Sequence, residues 1–66
     1  MNFIREKRKA LNLSQREFSK RINISYQVFQ KYENGTVIPS VLTALKIAKS
    51  LNTTVEELFP EEDHDS

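Results

Sequence analysis

The chain has no cysteine, a single histidine, one glycine and two prolines, and each scarcity excludes something. Without cysteine there is no disulfide, no thiol nucleophile and no cysteine-based zinc site. His64 alone cannot build a histidine-ligated metal site or a catalytic triad. Apolar runs are at most a few residues long, against the roughly 20 that a membrane-spanning helix needs. Phe3-Ile4 is followed at once by Arg5-Glu6-Lys7-Arg8-Lys9, which does not read as a signal peptide, so the cytoplasm is the expected compartment. With only Gly35, Pro39 and Pro60 as breakers, long loops are not expected. A length of 66 residues accommodates one domain. An apolar content of 38% fills one small core but does not also line a deep pocket, so neither a cofactor nor a small-molecule ligand is expected. The paired carboxylates Glu56-Glu57 and Glu61-Glu62 are adjacent in sequence rather than opposed across a cleft, which argues against an enzyme.

What is present is charge, unevenly placed. The formal net charge is +1, yet all ten Lys and Arg lie before residue 61, and the segment after it, Glu61-Glu62-Asp63-His64-Asp65-Ser66, carries four acids. A basic body with an acidic end suits a polyanion-binding surface. The expected organisation is a domain over residues 1–60 and a disordered acidic tail over 61–66.

The remaining pattern is helical. A first helix is expected over about residues 2–11, with Ile4, Arg8 and Leu11 on one face and Asn12 at its end. Ser14-Gln15-Arg16-Glu17 is a capping box, and Phe18 and Ile22 form the buried face of the helix it opens. Asn23-Ile24 turns the chain, Ser25 caps a third helix with Phe29 and Tyr32 inward and Val28 at the edge, and Asn34-Gly35 ends it. Ser40 opens a fourth, with Val41, Ala44, Leu45, Ala48 and Leu51 as its inner stripe, closed by Asn52. Thr54 caps a short fifth helix with Glu57 at the capping-box position, and Pro60 stops it. Five short helices with brief connections predict a compact all-α domain.

Two helices joined as tightly as those of residues 14–33 must cross steeply, as in a helix-turn-helix. With Phe18, Ile22, Ile24, Phe29 and Tyr32 inward, Tyr26, Gln27, Gln30 and Lys31 are left on the outer face of the third helix. Glutamine can donate and accept at once along an adenine edge, lysine can donate to guanine, and a tyrosine ring can pack on a thymine methyl. No acidic side chain lies between Glu17 and Glu33, so nothing on this face repels phosphates.

These residues together resemble the phage-repressor or Cro-like helix-turn-helix DNA-binding domains, also called the xenobiotic-response-element type. The matching stretches are Leu13-Ser14-Gln15 with Phe18, Ile24-Ser25, Tyr32-Glu33-Asn34-Gly35, Pro39-Ser40, Leu45-Lys46-Ile47-Ala48, Leu51 and Glu57-Leu58-Phe59. The resemblance spans roughly residues 4–59. It implies a five-helix, lambda-repressor-like fold whose third helix enters the major groove. It further implies that Gln15 grips a phosphate, that Tyr26, Gln27 and Lys31 face bases with Gln30 beside them, and that Asn34, Gly35 and Thr36 meet phosphate through backbone amides. Arg8 and Glu33 match a pair that commonly joins the first helix to the end of the third. The chain departs from the pattern in Lys7, where leucine is frequent, in Asn12, Asn23 and Asn52, where glycine is usual, and in the apolar Leu42 and bulky Tyr26.

The function so implied is a sequence-specific, double-stranded-DNA-binding transcriptional regulator, a repressor above all, located on the nucleoid when bound. The antitoxin of a toxin–antitoxin pair, or a protein-interaction module that has lost DNA binding, are the alternatives. One such helix reads few base pairs, so a homodimer on a near-palindromic operator is expected, with Leu42, Val55, Leu58 and Phe59 as the interface candidates.

Overall fold

Local chemistry marks both ends of nearly every helix. In the computed structural model, which describes residues 2–60, Ser14, Ser25, Ser40 and Thr54 each take an extended backbone conformation. Each accepts a hydrogen bond from the amide three residues on, satisfying a donor that the first helical turn cannot. Asn12, Asn23 and Asn52 sit at φ of 58°, 59° and 57°, and Gly35 at 82°. These left-handed residues turn the chain off four of the five helices; Asn tolerates that conformation and Gly enters it without a Cβ clash.

The elements so delimited are α1 (Ile4–Ala10), α2 (Gln15–Arg21), α3 (Tyr26–Asn34), α4 (Val41–Ser50) and α5 (Val55–Leu58). No strand occurs among the described residues. The acidic end at 61–66 lies outside them. The first helix is shorter than its sequence pattern predicts. Asn2 stays outside it, accepting from the Ile4 amide and donating to the Tyr32 carbonyl, while the Phe3 amide donates to the Leu58 carbonyl.

Ile4, Phe18, Ile22, Phe29, Ile47 and Leu58 are the large side chains sealed in the core. The Phe18 and Phe29 rings meet at 5.3 Å between centroids, tilted by 55°, which ties α2 to α3 through a favourable aromatic geometry. Leu13, Ile24, Tyr32 and Val55 pack around this centre.

Three expectations change. Leu11 is exposed rather than inward, because the helix ends at Ala10 and Leu11 occupies its C-cap; Leu13, past the left-handed Asn12, packs on the core instead. On α4 the buried stripe is Ala44, Ile47, Ala48 and Leu51, whereas Val41 is 75% exposed and Leu45 also faces out. More than half the circumference of α4 is apolar, so periodicity did not select a face; packing against the other helices did. Leu58 is fully buried and Phe59 is 7% exposed, so these two interface candidates are core residues that close the end of the bundle.

The rotated stripe has a measurable consequence. Ile47→Ala should cost about 2–5 kcal/mol by leaving a cavity, whereas Val41→Ala should stay within about 0.5 kcal/mol. Thermal unfolding of the two variants tests this, and equal losses would put the α4 core face elsewhere.

Candidate nucleic-acid interface

The C-terminal end of α3 is fastened to α1 by a buried ionic cluster. Arg8 Nε donates to Glu33 Oε1 at 3.1 Å and Nη2 to Oε2 at 2.8 Å, a two-pronged contact that fixes both planes. Its remaining prong donates to the Leu13 carbonyl at 2.6 Å, reaching the turn before α2. Arg5 adds a 3.0 Å bond to Glu33 Oε2 from a half-exposed side chain. The Glu33 side chain is sealed from solvent and that of Arg8 is 7% exposed. Burial by itself would raise the Glu33 carboxyl; hydrogen bonds from Arg8 and Arg5 overcome it and hold the group below the ordinary glutamate range. One arginine thus fixes α3 against α1 and against the entry to α2.

With Phe29 and Glu33 inward, Gln27 and Lys31 project from the opposite side of α3, both exposed. Their spacing of four puts them on one face, about 6 Å apart along the axis, close to two base-pair steps. Among the described residues neither makes an intramolecular side-chain hydrogen bond, so their polar groups are open to a ligand. Val28, expected at the edge of the inner stripe, is exposed beside them.

Tyr26 and Gln30 are half-buried and engaged with each other, the Gln30 amide nitrogen donating to the Tyr26 hydroxyl at 3.1 Å. Gln15, at the first position of α2, is half-buried and turned toward Gln30, with 3.5 Å between its Oε1 and Gln30 Nε2. The Arg16 guanidinium lies over the Tyr26 ring, 4.1 Å from its centroid.

The loop after α3 differs in detail from its expected role. The Gly35 amide donates to the Tyr32 carbonyl and the Val37 amide to that of Lys31. The Thr36 amide and hydroxyl both donate to Asn34 Oδ1. The amides that were to meet phosphate are therefore spent within the loop. Asn34 Nδ2 is the donor that this arrangement leaves at the surface.

Sequence reasoning did not find Arg5, Asn2 or Arg16. Arg5 carried a signal, since it stands three residues before Arg8 and hence on the same face of α1. Asn2 and Arg16 carried none, because their partners lie 30 and 10 residues away in the chain.

No helix of the structure is long and apolar enough to cross a membrane, and among the described residues no His, Cys, Asp or Glu group could hold a metal ion. The helix-turn-helix family profile matches residues 4–58. Over 51 residues the chain is 37% identical to the transcriptional repressor RstR of the cryptic phage CTXphi of Vibrio cholerae, covering 77% of this chain and 46% of the repressor. This chain thus spans about half the length of that relative. A helix-turn-helix-type transcriptional regulator of Methanothermobacter thermautotrophicus is 37% identical over 57 residues, covering 85% of this chain and 83% of the regulator. The regulator YgzD of Bacillus subtilis is 31% identical over 58 residues, covering 88% of each chain.

Proposed function

The chain belongs to the helix-turn-helix family of DNA-binding transcriptional regulators, and on that premise we propose that it is a sequence-specific repressor reading the major groove with α3. The observation that carries this reading is the split of α3 into two sides. One side is locked inward by Phe29 and by Glu33 on Arg8, and the other presents Gln27 and Lys31 with no acid among them. Gln27 suits an adenine edge, Lys31 a guanine edge, and Val28 offers apolar contact for a thymine methyl. Asn34 at the end of α3 and Arg16 on α2 supply phosphate donors on either side of the reading face. Such contacts position the helix without carrying sequence information. No catalytic group enters this function. A repressor acts by occupying its operator, in the cytoplasm and on the nucleoid.

We further propose that the chain binds as a homodimer on a near-palindromic operator. Ile38, Val41 and Leu42 are exposed by 73%, 75% and 79%, a continuous apolar surface at the start of α4. Ile38 and Val41, with Leu45 and Val55, border a shallow groove between α4 and α5. Of the four interface candidates, Val55 and the largely buried Phe59 line this groove, and Leu42 stands exposed on α4 outside its lining.

Selection of bound sequences from a random duplex pool tests the function directly. An enriched site with two symmetric halves is expected; no enrichment would defeat the reading. On the enriched site, Gln27→Ala and Lys31→Ala should each lose about 1–3 kcal/mol and relax preference at particular base pairs. An equal loss on scrambled DNA would assign them to phosphate.

A further inference from the structure

Tyr26 and Gln30 lie one turn apart on α3, but their hydrogen bonding gives them different capacities. The Gln30 amide nitrogen donates to the Tyr26 hydroxyl oxygen at 3.1 Å and lies 3.5 Å from Gln15 Oε1. An amide NH2 has two hydrogens; one is bonded to Tyr26, and the other is turned toward Gln15 at the outer limit of hydrogen-bond distance. Reading an adenine edge requires a donor and an acceptor from one amide, and the Gln30 amide nitrogen is turned to Tyr26 and Gln15 rather than outward. The Tyr26 oxygen, by accepting, frees its own O–H to donate elsewhere. From α2 the Arg16 guanidinium covers the ring, 4.1 Å from its centroid, a contact that restrains the aromatic plane. The ring is therefore held from two sides. It stands at the first residue of α3, the end of a recognition helix that meets base edges.

We infer that Tyr26 is a specificity-determining residue and Gln30 its positioning residue: Gln30 and Arg16 hold the ring so that the Tyr26 hydroxyl donates one hydrogen bond to a base acceptor in the major groove. This rests on the DNA-reading function proposed above. Gln30 acts only through Tyr26, and its contribution disappears when the hydroxyl is gone. A tyrosine fixed in this way does for one acceptor what a free glutamine does for a donor–acceptor pair. The discrimination is narrower, and less side-chain entropy is lost on binding.

The test is a binding matrix on the duplex enriched by the unmodified chain and on all its single-base-pair variants. It is measured for the unmodified chain, Tyr26→Phe, Gln30→Met and the double variant. Tyr26→Phe keeps the ring under Arg16, and thermal unfolding verifies that each variant is folded. Tyr26→Phe should weaken binding about five- to tenfold and flatten the preference at one base pair. Gln30→Met should flatten the same base pair by a smaller factor, and the double variant should match Tyr26→Phe alone. Losses that multiply, or a Gln30 effect at a different base pair, would make Gln30 a base reader in its own right and overturn the inference. A Tyr26→Phe loss uniform over all duplexes would place the hydroxyl on phosphate and overturn it equally. Failure of the unmodified chain to enrich any sequence would instead defeat the DNA-reading function, and this inference with it.

Discussion

Replacing Arg8 by alanine is expected to remove about 3–5 kcal/mol of folding stability, the range for taking one partner from a buried ion pair. The Glu33 carboxylate would stay sealed in the protein with the half-exposed Arg5 as its remaining charged partner, and the Leu13 carbonyl would lose its donor. A domain of 66 residues has a total stability of about 3–10 kcal/mol, so this loss is about a third of the total or more and should lower the unfolding temperature sharply. Arg5→Ala, whose charge is half in water, should cost under about 1 kcal/mol. In a double-mutant cycle Arg8→Ala and Glu33→Gln should couple strongly; additive losses would mean that the pair contributes nothing jointly.

The same cluster sets the acid response. The Glu33 carboxyl titrates lower in the native state than in the unfolded chain, where glutamate titrates near about 4.3. Its contribution is therefore fully present above that value and is lost as pH falls through the depressed native one. Glu17, held low by hydrogen bonding to Ser14, and Glu57, held low by the Thr53 hydroxyl, act in the same direction from exposed positions. Glu33→Gln should flatten the fall in stability below about pH 4.3 without abolishing it. An unchanged acid limb would show that another group controls it.

On a full palindrome the unmodified chain is expected to form a two-to-one complex, with half-sites about one helical turn apart. Cutting the site to one half should weaken binding by about 10²–10⁴-fold, because the second copy then no longer binds at high effective concentration. Leu42→Glu should weaken full-site binding toward the half-site value while leaving thermal stability unchanged, since Leu42 is 79% exposed. Sedimentation on a single duplex supplies the stoichiometry. A stable one-to-one complex at full affinity on the palindrome would rule out the dimer.

Helix limits were legible wherever the deciding interaction spans three or four residues. Ser14 with Glu17 reads as a capping box in the sequence, and both of its bonds are present. Asn12, Asn23 and Asn52 stand where glycine is usual in the family, and all three adopt the left-handed conformation that such a site requires. The buried side of α3 was legible too, because Phe29 is its one large apolar residue that is fully enclosed and the polar residues flank it.

On α4 the same reasoning placed Ala44, Ala48 and Leu51 inward correctly but took Val41 and Leu45 for core and missed Ile47. Val41, Leu42, Leu45 and Ile47 are comparably apolar, and a helix apolar around most of its girth has no preferred side until it meets its neighbours. Leu58 and Phe59 likewise read equally well as surface or core, and burial at the end of the bundle decided for core.

The sequence by itself determined the number of helices, the side-chain N-caps of α2 to α5 and the outward placement of Gln27 and Lys31 on α3, because each depends on backbone groups and side chains within about one turn. Only the tertiary structure decided which side of α4 is buried, that Arg5 joins Arg8 on Glu33, that the loop amides after α3 are spent, and that Gln30 and Arg16 hold Tyr26. Each of those depends on how neighbouring segments and helices meet in space, and the pattern within any one of them does not encode that.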